Sequence, residues 1–202
     1  MIKTIIFDFG RVISAQKPST LFRSYEDELG LEPGRINSIM FDSEAWQDAL
    51  VGRRTAEEFW YQIGPELGLN SVNEVDAFRH RYRADEEINK GVLELISRLH
   101  GNYKLAVLSN SPPGLDQWLA DWNMLDFFEV VFCSGDEGIA KPVPKAFELT
   151  LERLGLKPNE AVFIDDTREH VEAARKLGLK GILFTTAEEL EDELARLLPR
   201  DF

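Results

Sequence analysis

Apolar residues in this chain fall into two kinds of run, and the runs are unevenly distributed. At the start, Ile2, Ile5, Ile6 and Phe7 form a short, β-branched apolar stretch that ends abruptly at Asp8 and Gly10. Such a stretch is expected of a strand buried on both faces of a parallel sheet. From about Pro18 to Arg83 the spacing changes. Leu21, Phe22, Tyr25 and Leu29 recur at helical intervals and Gly30 supplies a stop. Thr55 with Glu58, and Ser71 with Glu74, read as capping boxes opening two further helices, and Pro65 should kink or end the first of them. Beyond Asp85, helix and strand alternate. Val92, Leu95, Ile96 and Leu99 form one helical face. Apolar strands are predicted at Tyr103–Leu108, Val130–Cys133, Ala161–Ile164 and Gly181–Phe184, with helices between them that end at Gly155 and Gly178. The last helix is predicted to turn Leu190, Leu194 and Leu197 inward and its acidic run Glu188–Glu193 mostly outward.

This alternation predicts an α/β fold: a doubly wound, Rossmann-like parallel sheet with helices on both faces and a small α-helical cap domain inserted after the first strand. The expected division is a core of residues 1–14 and 84–202 and a cap of residues 15–83. No internal repeat or low-complexity segment is present.

Composition narrows the partners. The 36 acidic and 23 basic residues leave a net charge of −13, which would repel nucleic acid and anionic membrane surfaces. An anionic substrate would therefore need a local exception: a cation, a metal or backbone amides. The lone cysteine, Cys133, lies in the apolar run Val130–Cys133 and excludes an internal disulfide framework. It reads as core rather than nucleophile. The N-terminal apolar run is too short for a membrane span and is broken by Asp8, so the expected address is the cytoplasm.

Four polar positions share one address, the C-terminal end of a predicted strand or the loop beyond it: Asp8, Ser109–Asn110, Lys141 and Asp165–Asp166. In a parallel sheet all such ends point one way, so residues distant in sequence converge on one crevice. Three carboxylates make an all-oxygen site that suits Mg²⁺ better than zinc. A serine hydroxyl, backbone N–H groups and a lysine can hold phosphate oxygens beside a carboxylate able to attack phosphorus. Each group also has a plainer reading. Ser109, Asn110 or Asp166 can cap a helix, and Lys141 can be a solvated loop lysine.

In this order the segments Ile5–Gly10, Leu108–Asn110, Ala140–Pro142 and Phe163–Asp166, followed by Val171–Gly178, resemble the haloacid dehalogenase superfamily over nearly the whole chain. The resemblance implies the phosphatase branch with a helical cap, closest to an Asp-x-Gly subgroup that includes sugar-1-phosphate phosphatases. It implies that Asp8 is the nucleophile and a Mg²⁺ ligand, with the Gly10 carbonyl and Asp166 as further ligands. Asp165 would bind the ion weakly or hold its water shell. Ser109 and the amide of Asn110 would hold the phosphoryl group and Lys141 would neutralise its charge. The expected protein is a Mg²⁺-dependent monoester hydrolase, a monomer or homodimer acting on a small phosphorylated metabolite, a sugar phosphate among the candidates. One departure stands out. Family phosphatases carry a second aspartate two residues after the nucleophile to protonate the leaving oxygen, and here that position is Gly10. Esters that need little such help (sugar 1-phosphates, acyl and aryl phosphates) are therefore expected to be preferred. A phosphate binder without turnover is the alternative, and a 2-haloacid dehalogenase the minor one. Arg11, His170, the aromatics Trp46, Trp60 and Tyr61, and the basic cluster Arg79–Arg83 are secondary candidates for contacts near the site.

Overall fold

The computed structural model describes residues 1–198. The last four residues of the expected core therefore lie outside the described residues. Five strands form one parallel sheet: β1 (Thr4–Phe7), β2 (Lys104–Ser109), β3 (Val130–Cys133), β4 (Ala161–Asp165) and β5 (Lys180–Leu183), in the spatial order β3-β2-β1-β4-β5. The first strand is central, with β2 on one side and β4 on the other. Chain order reverses at β1, so its C-terminal end opens onto the switch point where ligands of such sheets bind.

Alternation along the strands splits the core in two. Ile5, Phe7, Leu105, Val107, Val162 and Ile164 face one side, under α6 (Lys90–Leu99) and α11 (Ala187–Leu197). Ile6, Ala106, Leu108 and Phe163 face the other, under α9 (Pro144–Leu154) and α10 (Arg168–Lys176). The sheet is covered on both faces, which is why its strands read as continuous apolar runs rather than alternating ones. Of the residues expected to point inward from α11, Leu190 and Leu194 are buried, but Leu197 is 37 % exposed and Leu198 is buried in its place. The helix ends at Leu197, and the extended Leu198 after it, rather than the last helical residue, makes the apolar contact with the core.

Between β1 and α6 lie α1 (Ser19–Leu29), α2 (Arg35–Phe41), α3 (Glu44–Leu50), α4 (Ala56–Ile63) and α5 (Val72–Ala84), with a separate core around Tyr25, Ile36, Phe59, Ile63 and Phe78. Both capping boxes form: Thr55 with Glu58, and Ser71 with Glu74. Helix α4 stops before Pro65, and a 3₁₀ turn, Gly64–Leu67, follows. The two chain segments joining this helical insertion to the sheet run side by side. Ser14 bridges Ile88, Ala15 N–H donates to Glu87 O, and Lys17 pairs with Glu86 at 2.6 Å.

The insertion also touches the sheet half at a second place. Gly52, in the turn after α3, sits at φ +70°, and a Cβ there would lie 2.2 Å from the carbonyl oxygen of Gly135 in α8 (Ser134–Glu137). Both the left-handed backbone and the close approach require glycine. Gly52→Ala is expected to lower stability by at least ~1–2 kcal/mol, read as a lowered denaturation midpoint, whereas Gly10→Ala, at an open position, should not.

Candidate active site

Strand β1 carries the chain to Asp8, whose N–H continues the ladder by donating to Ile164 O at 2.8 Å. The β1–β4 register pairs Phe7 with Ile164, so the next residues, Asp8 and Asp165, are set level with one another. After Asp8 the chain turns through Phe9–Ile13. Phe9 stacks on Trp122 at 5.5 Å, and Arg11 adopts a left-handed conformation at φ +59°. Its N–H donates to the Ser14 hydroxyl at 3.2 Å, and Val12 and Ile13 are buried. A non-glycine residue at positive φ is uncommon and persists where its surroundings hold it.

Lys141 reaches this strand end from the loop before α9. It is 3 % exposed, and its Nζ lies 2.9 Å from Asp8 Oδ1 and 2.6 Å from Asp165 Oδ2. The loop is held by Asn110. Lys141 N–H donates to Asn110 Oδ1 and Asn110 Nδ2 donates to Lys141 O, both at 2.8 Å. The sequence offers the Asn110 backbone amide for phosphate and its side chain for a helix cap; the side chain fixes the lysine, and the amide remains at the strand end. Asp165, fully buried, also accepts from Thr167 N–H at 2.7 Å and meets His170 Nδ1 at 3.0 Å. The surface alternative for His170 thus gives way to a contact with the carboxylate. Asp166 is less enclosed and pairs with Arg11 Nε at 2.9 Å. The sequence leaves Arg11 either a phosphate or substrate contact or an exposed arginine; it is exposed, and the pair with Asp166 is the addition. The signal for the pair is the unusual backbone at position 11, which sequence does not display.

These contacts set the protonation of the groups. Burial pushes Asp8 above the usual carboxylate range, against the pull of Lys141 and Ser109. Burial acts the same way on Asp165, but Lys141 and His170 outweigh it, and its net position is below that range. Burial disfavours the charged lysine, yet the two aspartates hold Lys141 above its ordinary value. Asp166 is raised by burial, with Arg11 pulling back.

Asp8, Asp165 and Asp166 each offer an oxygen, all within 4.8 Å of one another. Hard oxygen donors in this number suit a divalent cation that keeps some of its waters. The oxygens of Asp165 are already engaged by Lys141, Thr167 N–H and His170, which leaves Asp8 and Asp166 as the donors best placed to take a cation. Ser109 and Gly10 line the same crevice, which opens into a cavity of about 1400 Å³ reaching up to α1–α4. Trp46, Trp60 and Arg79 line that cavity; Tyr61 does not, its hydroxyl being engaged by Glu57 and Asp76. Arg81 pairs with Glu28, and Arg83 with Asp121.

A model of the haloacid dehalogenase-like hydrolases matches residues 2–178. The chain is 26 % identical to the sesquiterpene phosphatase astK of Aspergillus oryzae, over 97 % of this chain and 96 % of that protein. It is 24 % identical to a D-ribitol-5-phosphate phosphatase of Bacteroides thetaiotaomicron, over 98 % and 99 %. Acyl-CoA dehydrogenase family member 10 of mouse is 30 % identical over 97 % of this chain, which spans only 19 % of that relative. Among solved structures, a HAD family enzyme from B. thetaiotaomicron in complex with magnesium and inorganic phosphate superposes with a TM-score of 0.74 at 23 % identity, covering 92 % of this chain and 96 % of that one.

Removing the cation between the two buried carboxylates leaves their charge uncompensated. Lys141→Met is expected to cost about 3–5 kcal/mol of folding stability in urea at neutral pH without divalent ions. Because the cost comes from ionised carboxylates, it should shrink as pH falls and they take up protons.

Proposed function

The chain belongs to the haloacid dehalogenase-like hydrolases, and on that premise we propose that it is a phosphatase that hydrolyses a phosphorylated metabolite through Asp8. The observation that carries the reading is Asp8 at the switch point of the sheet, touched by the buried ammonium of Lys141 and adjoined by Asp165 and Asp166.

Asp8 and Asp166, with the carbonyl of Gly10, would hold Mg²⁺. A bound ion supplies positive charge to the phosphoryl oxygens and fixes the group in line. The all-oxygen donor set fits such an ion, and the enzyme of B. thetaiotaomicron with magnesium and phosphate gives the parallel. The remaining work falls to the protein's own side chains. Ser109 and the backbone amide after it orient the phosphoryl group. An Oδ of Asp8 forms a bond to phosphorus as the ester P–O bond breaks, and the alcohol oxygen leaves taking a proton from solvent water. Water then attacks the aspartyl phosphate, releases phosphate and restores the carboxylate. Lys141 balances charge on Asp8 and the transferred group throughout. Thr167 N–H, His170 and Lys141 hold Asp165 in place as the second wall of the site. The helical insertion of residues 15–83 acts as the cap that covers the crevice.

Position 10 offers no proton donor to the leaving oxygen, and nothing in the backbone requires that. Gly10 has φ −64° and ψ 124°, open to any residue, and a Cβ there meets nothing within 4 Å. The glycine is thus a chemical choice rather than a steric one. It also supports a second reading, a phosphate-metabolite binder with little turnover.

Phosphate release from an ester panel is expected to require Mg²⁺, to stop on chelation, and to vanish in Asp8→Asn. Release that survives either treatment overturns the assignment. Gly10→Asp is expected to fold normally and to raise turnover of alkyl phosphates by on the order of 10²-fold, with a smaller gain for aryl phosphates. Equal gains for both would show that position 10 does not act through the leaving group.

A further inference from the structure

The cavity above Asp8 is much larger than a phosphoryl group or a small sugar phosphate requires. At about 1400 Å³ it exceeds the usual range of roughly 300–1,000 Å³ for sites that enclose a drug-sized ligand. What lines it, and which of those groups are already engaged, bears on what occupies it.

The charged groups of the upper wall are largely paired within the protein. Lys17 is held by Glu86 and the carbonyl of Tyr82. Glu26, 2 % exposed, accepts from the N–H of Ile36. Arg23 pairs with Asp27, and Arg83 with Asp121; Arg79 is the exception, held only loosely at 3.8 Å from Glu57 and 4.0 Å from Asp76. The aromatic groups are not used up in the same way. Phe22, Phe41, Trp46, Tyr82 and Trp118 are only partly buried although they belong to or border the apolar clusters. Phe41 meets Trp46 edge-on at 5.3 Å and Phe22 meets Tyr82 edge-on at 6.5 Å, whereas Trp118 packs on Phe9 and Trp122 with the Arg83 guanidinium over its ring at 4.5 Å, and all five line the cavity.

A polyol in this space would give up its hydrogen bonds to water and find most charged partners taken, at a cost for each unmatched hydroxyl. An apolar body of matching size would cover aromatic surface now in contact with water, a gain of ~25 cal/mol per Å². We infer that the substrate is a phosphomonoester whose alcohol part is large and mostly apolar, an extended alkyl, isoprenoid or aryl group lying along Phe22, Trp46 and Trp118 with its phosphate on Asp8. The inference rests on the phosphatase reading and replaces a sugar with an apolar leaving group. It adds no co-reactant: one water is consumed, and the alcohol and phosphate are released.

The test is a series of linear alkyl phosphates from butyl to decyl, kept below their micelle concentrations at fixed Mg²⁺, with D-ribitol 5-phosphate as the polar comparison. All are esters of primary alcohols, so the polarity and size of the leaving group are the main variables. A fully buried methylene is worth ~0.8 kcal/mol, or about a fourfold gain in kcat/KM. Each added methylene is expected to raise kcat/KM by up to that factor until the cavity is filled, with most of the change in KM. The octyl ester should exceed ribitol 5-phosphate. Trp46→Gln should weaken the octyl ester several-fold more than the butyl ester. A flat series, or a polyol phosphate turned over better than the octyl ester, overturns the inference while leaving the phosphatase reading intact. No phosphate release from any ester overturns both.

Discussion

The ammonium of Lys141 lies 2.9 Å from Asp8 and 2.6 Å from Asp165, with almost no exposure to water. A chain of net charge −13 gathers three carboxylates at the edge of one sheet, and two of them are enclosed. Without an internal cation, at least one of them would take up a proton, and a protonated Asp8 is a poor nucleophile. A buried ion pair contributes little net stability, but losing one partner costs a great deal. On the proposed function, Lys141 would therefore keep Asp8 usable more than it holds the fold together. That explains why so much local structure is spent on it. The paired hydrogen bonds from Asn110 fix its backbone, and Asp165, itself held by Thr167 N–H and His170, fixes its Nζ.

The sheet supplies the frame for this arrangement. Parallel pairing of β1 with β2 and β4 brings Asp8, Ser109 and Asp165 to one edge. Position 10, on the turn that follows β1, is open space where a side chain would fit. The resulting site has a strong electrostatic floor, no proton donor at position 10, and a wide aromatic roof from the helical insertion. On the proposed function, floor and roof would divide the work: the floor would take the phosphoryl group, and the roof would select what carries it.

The parts of this arrangement that were legible in the sequence are those fixed by short-range physics. Strands buried on both faces show as β-branched runs, and their ends show as the polar residues that interrupt them. Thr55 and Ser71 announce their helices because a capping box spans four residues. Position 197 was misjudged because helical periodicity does not reveal where the last turn gives way to extended chain. The Arg11–Asp166 pair was not legible, since it depends on a positive φ at a residue with no propensity for it. The task of Asn110 was equally hidden. Its partner lies 31 residues away on a loop, and asparagine at a strand end has several local uses. The roof of the cavity was legible only as a set of helical aromatics. Which of them keep a face open depends on how five helices pack on one another.

The account is tested most directly by finding where the phosphoryl group rests during turnover. Acid-quenching the Mg²⁺-loaded protein with an aryl phosphate and digesting it with trypsin yields the peptide Thr4–Arg11, in which Asp8 is the only carboxylate side chain. One added phosphoryl mass on that peptide, appearing early and declining as the ester is exhausted, is the predicted result. Phosphate release with the peptide unmodified at every quench time, or the added mass on a peptide carrying His170 instead, would contradict the central place given to Asp8.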